Sequence, residues 1–365
     1  MILNDISVLI KPASSLCDLN CSYCFYHDEA KHRAVPSHPV MTNEISSALI
    51  SRALSRAKRS CSFIFQGGEP TLAGLDYYKF FVEEVRRQNT AKLKINYSLQ
   101  TNAQSIDNEW ADFFRENRFL VGVSLDGTAE IHDRLRGEGT HKKALRAAAL
   151  LKSRNIEFNI LTVVTSRTAR NTEAVYNYFK RQGLYYQQYI PCIDSMDGES
   201  HLSAEEYGRF LIKLFRLWER DALSGRPVSI RYFDELALML MGRNVLSCGM
   251  SGTCSAQYVI ESDGSVYPCD FYCVDSYLLG NVLTDDFEAI DARRAESRFI
   301  ESSSRVAEEC RICRYFALCR GGCRRDRDSF AGSPLGLNRL CAGYKLFFNE
   351  CADDLVSLAL RLAGR

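Results

Sequence analysis

Cys17-Asp18-Leu19-Asn20-Cys21-Ser22-Tyr23-Cys24 places three thiols in eight residues, at spacing C-x3-C-x2-C, with an aromatic residue just before the third. Three thiolates are one short of the four that a [4Fe–4S] cubane takes, so a cluster held by this loop keeps one iron open to a ligand from outside the protein. A structural zinc ion wants four protein ligands, usually from C-x2-C pairs. A disulfide framework does not crowd three cysteines into one short loop of an intracellular chain. The spacing suits a loop that wraps three corners of a small object.

The 365 residues suffice for one large domain plus an extension. Hydrophobic residues at 46% and charged residues at 25% are ordinary globular values. A net charge of +1 gives no sign of nucleic-acid binding or of a polybasic membrane surface. No apolar run approaches the roughly 20 residues of a membrane span. Met1-Ile2-Leu3-Asn4-Asp5 has neither the basic nor the apolar region of a signal peptide. Fifteen cysteines without a secretion signal argue for metal rather than disulfides, and the chain is expected in the cytoplasm.

Outward from the cysteine loop, strand and helix patterns alternate. Ser7-Val8-Leu9-Ile10, ending at Lys11-Pro12, is a first strand, and the loop follows it directly. Thr42 or Asn43 can cap a helix whose Ile45, Ala48, Leu49 and Ala53 share one face. Strands are expected at 61–65, 93–99, 119–125, 157–164 and 185–190, with helices at 75–87, 142–154 and 171–182 between them. About six strand–helix units predict an α/β fold, a partial (β/α)6 barrel with right-handed crossovers. Its active site would gather at the C-terminal strand ends. The expected divisions are 1–200 for this barrel, 201–245 for two linking helices, 246–345 for a cysteine-rich domain and 346–365 for a C-terminal helix.

The second half has its own cysteine pattern. Cys254 is followed by Gly264 and Cys269, then by Cys310, Cys313, Cys319 and Cys323 at C-x2-C-x5-C-x3-C, and finally by Cys341. Cys248 adds an eighth thiolate, and eight divide into two sets of four, enough for two fully ligated [4Fe–4S] clusters. Cys61, Cys192, Cys273 and Cys351 are left over. Cys61 sits in an apolar strand and reads as a small core residue; Cys273 could serve as a substitute ligand.

Gln66-Gly67-Gly68-Glu69-Pro70, after the second strand, reads by itself as a turn. Together with the C-x3-C-x2-C loop and its Tyr23 it resembles the radical S-adenosylmethionine (SAM) superfamily, and the later cysteines resemble that superfamily's SPASM extension. Phe25-Tyr26-His27, Gln66, Cys248-Gly249-Met250-Ser251-Gly252-Thr253-Cys254 and Tyr267-Pro268-Cys269-Asp270-Phe271-Tyr272 narrow the likeness. They resemble the anaerobic sulfatase-maturating enzymes, from roughly Ser7 to Cys341.

The resemblance implies SAM and three [4Fe–4S] clusters. Cys17, Cys21 and Cys24 would hold the first; Cys248, Cys254, Cys269 and Cys323 the second; Cys310, Cys313, Cys319 and Cys341 the third. Around SAM it implies Tyr23, the Gly67-Gly68-Glu69 turn at the amino group, and Ser124 and Asp126 at the methionine and ribose. The SAM carboxylate calls for a guanidinium, from Arg146 or its competitor Arg136. Ile193 would touch adenine or simply pack in the core. The implied reaction begins when a 5′-deoxyadenosyl radical takes a Cβ hydrogen from a sulfatase cysteine or serine. Loss of a proton to Asp270 and of one electron then leads to Cα-formylglycine, with Tyr26 and Gln66 holding the substrate. Implied partners are a sulfatase polypeptide with a Cys/Ser-x-Pro/Ala-x-Arg motif and a one-electron reductant such as flavodoxin or ferredoxin, with no nucleic acid and no membrane. Two other classes fit the cysteines: another SPASM-type peptide maturase and a non-catalytic electron carrier. The first would be expected to carry a recognition domain ahead of Cys17, which only sixteen residues precede; the second would have no use for Gly67-Gly68-Glu69.

Overall fold

Four strands near the start of the chain lie side by side in sequence order: β1 (Asp5–Ile10), β2 (Ser60–Phe65), β3 (Lys94–Thr101) and β4 (Phe119–Ser124), each parallel to the one before. β2 shows why. Its side chains alternate between half-buried and buried, with Cys61, Phe63 and Phe65 on the inner face, and a helix follows to cover that face. Tyr78 and Phe81, on helix Leu75–Gln88, meet the Phe65 ring edge-on at centroid distances of 5.0 Å each. The buried thiol of Cys61 is packing material, as its strand context suggested. Thr42 caps helix Asn43–Arg56 by accepting from the Ile45 amide at 3.3 Å, and Ile45, Leu49 and Ala53 are buried.

The computed structural model describes residues 5–330 and 335–362; the first four residues and the last three of the expected C-terminal helix lie outside them. The chain packs as two units that interleave in sequence. The first comprises Met1–Ser124, Arg136–Phe158 and Ala256–Arg298; the second comprises Leu125–Leu135, Asn159–Ser255 and Phe299–Arg365. The expected boundaries at 200, 245 and 345 are linear cuts, and packing groups the residues differently.

The second unit contains the parallel strands β5 (Phe158–Val164, from its second residue on), β6 (Tyr186–Pro191) and β7 (Ser229–Ile230). The expected linking helices are present as Ala204–Leu223 and Arg231–Leu240. In the first unit β8 (Tyr258–Ile260) pairs parallel with the free side of β1, and β9 (Ser265–Tyr267) and β10 (Gly280–Asn281) extend that edge antiparallel, so the order is β10-β9-β8-β1-β2-β3-β4. The α/β reading with parallel strands is the observed fold. The β8–β10 edge was not legible as strand, because its members are only two or three residues long.

Helices Ala204–Leu223 and Cys341–Leu362 cross within the second unit. The first opens with a capping box, in which Ser203 Oγ accepts from the Glu206 amide and the Glu206 carboxylate accepts from the Ser203 amide. At the crossing Gly208 and Gly343 touch backbone to backbone. A Cβ on Gly208 would lie 2.7 Å from the Gly343 carbonyl oxygen, and one on Gly343 would run into the Ala204 carbonyl. Gly343→Ala is therefore expected to lower stability by about 1–3 kcal/mol through overpacking, read as a lower urea midpoint with unchanged helical circular dichroism.

Candidate active site

The cysteine loop leaves the C-terminal end of β1 and ends where helix Phe25–Lys31 begins. Cys17, Cys21 and Cys24 are all half-buried on it, and among the described residues no cysteine forms a disulfide. Polar N–H groups approach each sulfur. The Leu19 amide and the Asn102 side chain reach Cys17 Sγ at 3.4 and 3.8 Å, the His27 amide reaches Cys24 Sγ at 3.4 Å, and the Arg136 guanidinium lies 4.0 Å from Cys21 Sγ. Burial pushes the Cys17 thiol up to about 12, so a thiolate there calls for a cation. No group of three or more His, Cys, Asp or Glu among the described residues is placed to hold a single metal ion. A cubane carries each thiolate on a different iron, so its ligands stand farther apart than those of one ion, and the soft three-thiol set on one loop fits it.

The Gly-Gly turn packs directly on this loop. The Gly68 amide donates to the Ser14 carbonyl at 2.9 Å and the Glu69 amide to the Leu16 carbonyl at 2.8 Å. A Cβ on Gly68 would strike the Leu16 carbonyl, and Gly67 has φ +130°. The Glu69 side chain turns into the protein. Its carboxylate is fully buried and accepts from Thr71 N and Oγ1 at 3.0 and 2.6 Å, from Thr101 Oγ1 at 2.7 Å and from the Asn102 amide at 2.7 Å. A carboxylate with four donors inside the protein staples the end of β3 to the turn after β2. Burial raises its pKa, and the donors oppose that rise.

Asp270 opens the short 3-10 turn Asp270–Tyr272 after β9. Its Oδ1 accepts from Lys11 Nζ at 2.5 Å, and its Oδ2 accepts from the Gln66 side-chain amide. Two expected site residues, Gln66 and Asp270, are thus in direct contact beside the Gly-Gly turn. Lys11 is wholly buried, whereas the Asp270 side chain keeps 14% exposure. Burial alone would lower the Lys11 pKa, but Asp270 and the other negative groups around it outweigh that, and the ammonium stays charged.

Tyr26 lies beneath Lys11. It is 2% exposed, its hydroxyl donates to Glu261, and Lys11 Nζ sits 3.6 Å from its ring centroid on one side with the Arg33 guanidinium at 4.8 Å. Glu261 also pairs with Arg33 at 3.0 Å and accepts from Ser14 Oγ at 3.1 Å. The tyrosine is a supporting wall beneath Lys11, because its polar tip is spent on a buried carboxylate. Cys273 lies in the same core, fully buried with Val259, Tyr26 and Tyr267 around it, and its thiol donates to the Cys269 carbonyl; it does not stand as a substitute ligand.

Arg136 stacks at 5.5 Å from the Tyr23 ring centroid. Arg146 is exposed on helix Thr140–Ser153 and makes no hydrogen bond or ion pair among the described residues. Ser124 is half-buried at the end of β4. In the second unit Asp126 is fully buried, accepts from the Val163 amide at 2.9 Å, and through its own amide donates to His132 Nδ1 at 3.1 Å. Ile193 is half-buried just past β6.

The second unit also holds seven of the eight later cysteines. Cys310, Cys313, Cys319 and Cys341 line a single cavity, with Tyr344 and Phe348 closing it. Four thiols around one apolar-walled hollow fit a four-thiolate cubane. Gly249 lies against Cys323, at 3.6 Å from an ideal Cβ. Burial pushes the Cys323 thiol up to about 12, with Asp326, Cys248 and Cys254 adding to the rise.

Lys11, Glu261 and Arg33 were not singled out from sequence. The one sequence signal for Lys11 is a lysine directly after an apolar strand, at its C-terminal end. Its partner lies 259 residues away, so no local pattern reports the pair.

Residues 12–179 match the model of the Radical SAM superfamily, and residues 248–314 match the model of an iron–sulfur cluster-binding domain, SPASM. The chain is 47% identical over 363 residues to a cysteine-type anaerobic sulfatase-maturating enzyme of Clostridium perfringens (strain 13 / Type A), covering 97% of this chain and 98% of that protein. It is 30% identical to a serine-type anaerobic sulfatase-maturating enzyme of Bacteroides thetaiotaomicron, covering 94% and 89%. The solved structure described as native anSMEcpe with bound AdoMet and Kp18Cys peptide superposes with a TM-score of 0.93 at 46% identity, covering 98% and 99% of the two chains. The chain belongs to the anaerobic sulfatase-maturating enzymes, within the radical SAM superfamily.

Proposed function

We propose that this protein oxidises one cysteine of a sulfatase polypeptide to Cα-formylglycine without oxygen. The observation that carries the reading is Asp270, held by Lys11 and Gln66 where Gln66 runs into the Gly-Gly turn packed on the cysteine loop. It puts a partly open carboxylate next to the loop that carries three thiols and the expected place of SAM. When bound, SAM and the three clusters supply the one-electron chemistry and the radical that removes a substrate Cβ hydrogen.

The protein's own residues do the rest. Cys17, Cys21 and Cys24 would hold the SAM-binding cluster. Of the two candidates for the SAM carboxylate, Arg136 lies beside Cys21 and Tyr23 of the cysteine loop, whereas Arg146 is exposed on its helix with no contact to that loop. Cys310, Cys313, Cys319 and Cys341 would hold one auxiliary cluster around their shared cavity. Cys248, Cys254 and Cys323 would serve the other, with Cys269 assigned to it by the resemblance. Ser124, Asp126 and Ile193 remain assigned to SAM by resemblance, and Glu69 shapes the turn that receives it. After the substrate loses its Cβ hydrogen, Asp270 accepts the S–H proton and one electron leaves to an acceptor. The resulting thioaldehyde reacts with water to give the aldehyde and hydrogen sulfide. A serine substrate would give the aldehyde directly. Cysteine is favoured by the greater identity to the cysteine-type relative. A small electron-transfer protein, flavodoxin or ferredoxin in kind, would act as reductant. Fifteen cysteines, eleven of them expected cluster ligands, suit a reducing cytoplasm, and no helix among the described residues is long and apolar enough to cross a membrane.

Anaerobic incubation of the reconstituted enzyme with SAM, a reductant and a Cys-x-Pro-x-Arg peptide is expected to give formylglycine by mass spectrometry; an unchanged peptide alongside continued SAM cleavage would overturn the reading. Iron analysis should find about twelve irons per chain, and about eight when Cys17, Cys21 and Cys24 are all changed to Ala. Asp270→Asn keeps the shape and removes the base. It should still form 5′-deoxyadenosine while formylglycine falls by about 10²–10⁴-fold.

A further inference from the structure

We propose that Lys11 is a positioning residue for the reaction, its ammonium holding the Asp270 carboxylate in the orientation that meets the substrate. The proposal rests on Asp270 acting as the base. Lysine is almost never fully buried unless it is paired, and Lys11 is 0% exposed. Nothing about the end of β1 requires a charge there. The preceding residues Val8, Leu9 and Ile10 are apolar, and an unbranched apolar side chain would follow the same path across the Tyr26 ring. Asp270 is the group that the ammonium bonds.

The geometry supports orientation rather than general packing. One carboxylate oxygen takes Lys11 from the end of β1 and the other takes the Gln66 amide from the end of β2, so two donors from two strands fix the plane of the group. Each oxygen still has a lone pair for a group arriving at its exposed side. Lys11 cannot swing away. Its Nζ rests 3.6 Å from the Tyr26 ring centroid, a cation–π contact, and Tyr26 is itself anchored to Glu261. Tyr26 belongs to the helix that starts immediately after Cys24, and the preceding Phe25 meets Phe271 edge-on at 4.9 Å. Lys11 therefore ties the turn carrying Asp270 to the helix that continues the cysteine loop, and keeps the base in register with the site of hydrogen removal. Gln66 alone offers a single neutral donor, which is a weaker hold.

The test compares wild type with Lys11→Met in the cluster-reconstituted enzyme, using SAM and a Cys-x-Pro-x-Arg peptide deuterated at the cysteine Cβ. Iron content and SAM cleavage should stay near wild type, and deuterium should still enter 5′-deoxyadenosine. Formylglycine should fall, so that 5′-deoxyadenosine per formylglycine rises by about ten- to a hundredfold. A merely structural role would lower SAM cleavage and formylglycine together and leave that ratio unchanged, which would overturn the proposal. Should Lys11→Met fail to take up iron, an anaerobic crystal structure of wild type with SAM and peptide decides. Lys11 Nζ within hydrogen-bond reach of Asp270 upholds it, and Lys11 turned away overturns it. A wild-type enzyme that cleaves SAM but makes no formylglycine sinks the functional reading itself, a result distinct from either.

Discussion

The pairing of β8 with β1 is the constraint on which the candidate site depends. Val8, Leu9 and Ile10 stand in register with Tyr258, Val259 and Ile260, and the Lys11 amide continues the ladder to the Ile260 carbonyl at 2.8 Å. A parallel pair needs a long connection, and here the chain leaves β1 and returns nearly 250 residues later. That return delivers Glu261 next to Tyr26 and Arg33, and a few residues later Asp270 next to Lys11 and Gln66. The contacts that Glu261 and Asp270 make inside the first unit follow from this register. A slip of one residue would turn the side chains of β8 to the opposite face.

Beneath the site lie four buried or nearly buried charges of balanced sign: Lys11 and Arg33 against Glu261 and Asp270. Such groups are costly to bury, and leaving one without its partner typically costs about 3–5 kcal/mol. The set is arranged so that each charge has an opposite charge within 3.0 Å, with Tyr26 between the two pairs. Three of the four are sealed, and Asp270 alone keeps an open side.

The Gly-Gly-Glu turn illustrates how a motif can serve a ligand through the protein's own packing. Gly68 is required because the Leu16 carbonyl occupies the space a Cβ would need, and Glu69 is required because four donors converge on it. Both hold the turn and the cysteine loop at a fixed separation. The shape of the turn is a consequence of that separation.

The sequence by itself determined the cysteine spacings, the alternation that makes an α/β fold and the caps of helices such as Asn43–Arg56, and family likeness singled out Gln66 and Asp270 separately. These are local signals: ligand spacing within a loop, hydrophobic periodicity within one element, and motifs read in order. Tertiary structure alone decided that Lys11 meets Asp270, that Tyr26 lies beneath Lys11 with its hydroxyl on Glu261, that Glu69 turns inward, and that residues 256–298 pack with the first strands. For Lys11 and Tyr26 the partner lies more than 200 residues away, beyond a three-residue strand in which no periodicity can accumulate, and the register of β8 on β1 brings the groups within hydrogen-bonding distance; for Glu69 it is the pairing of β2 with β3 that brings Thr101 and Asn102 to the carboxylate.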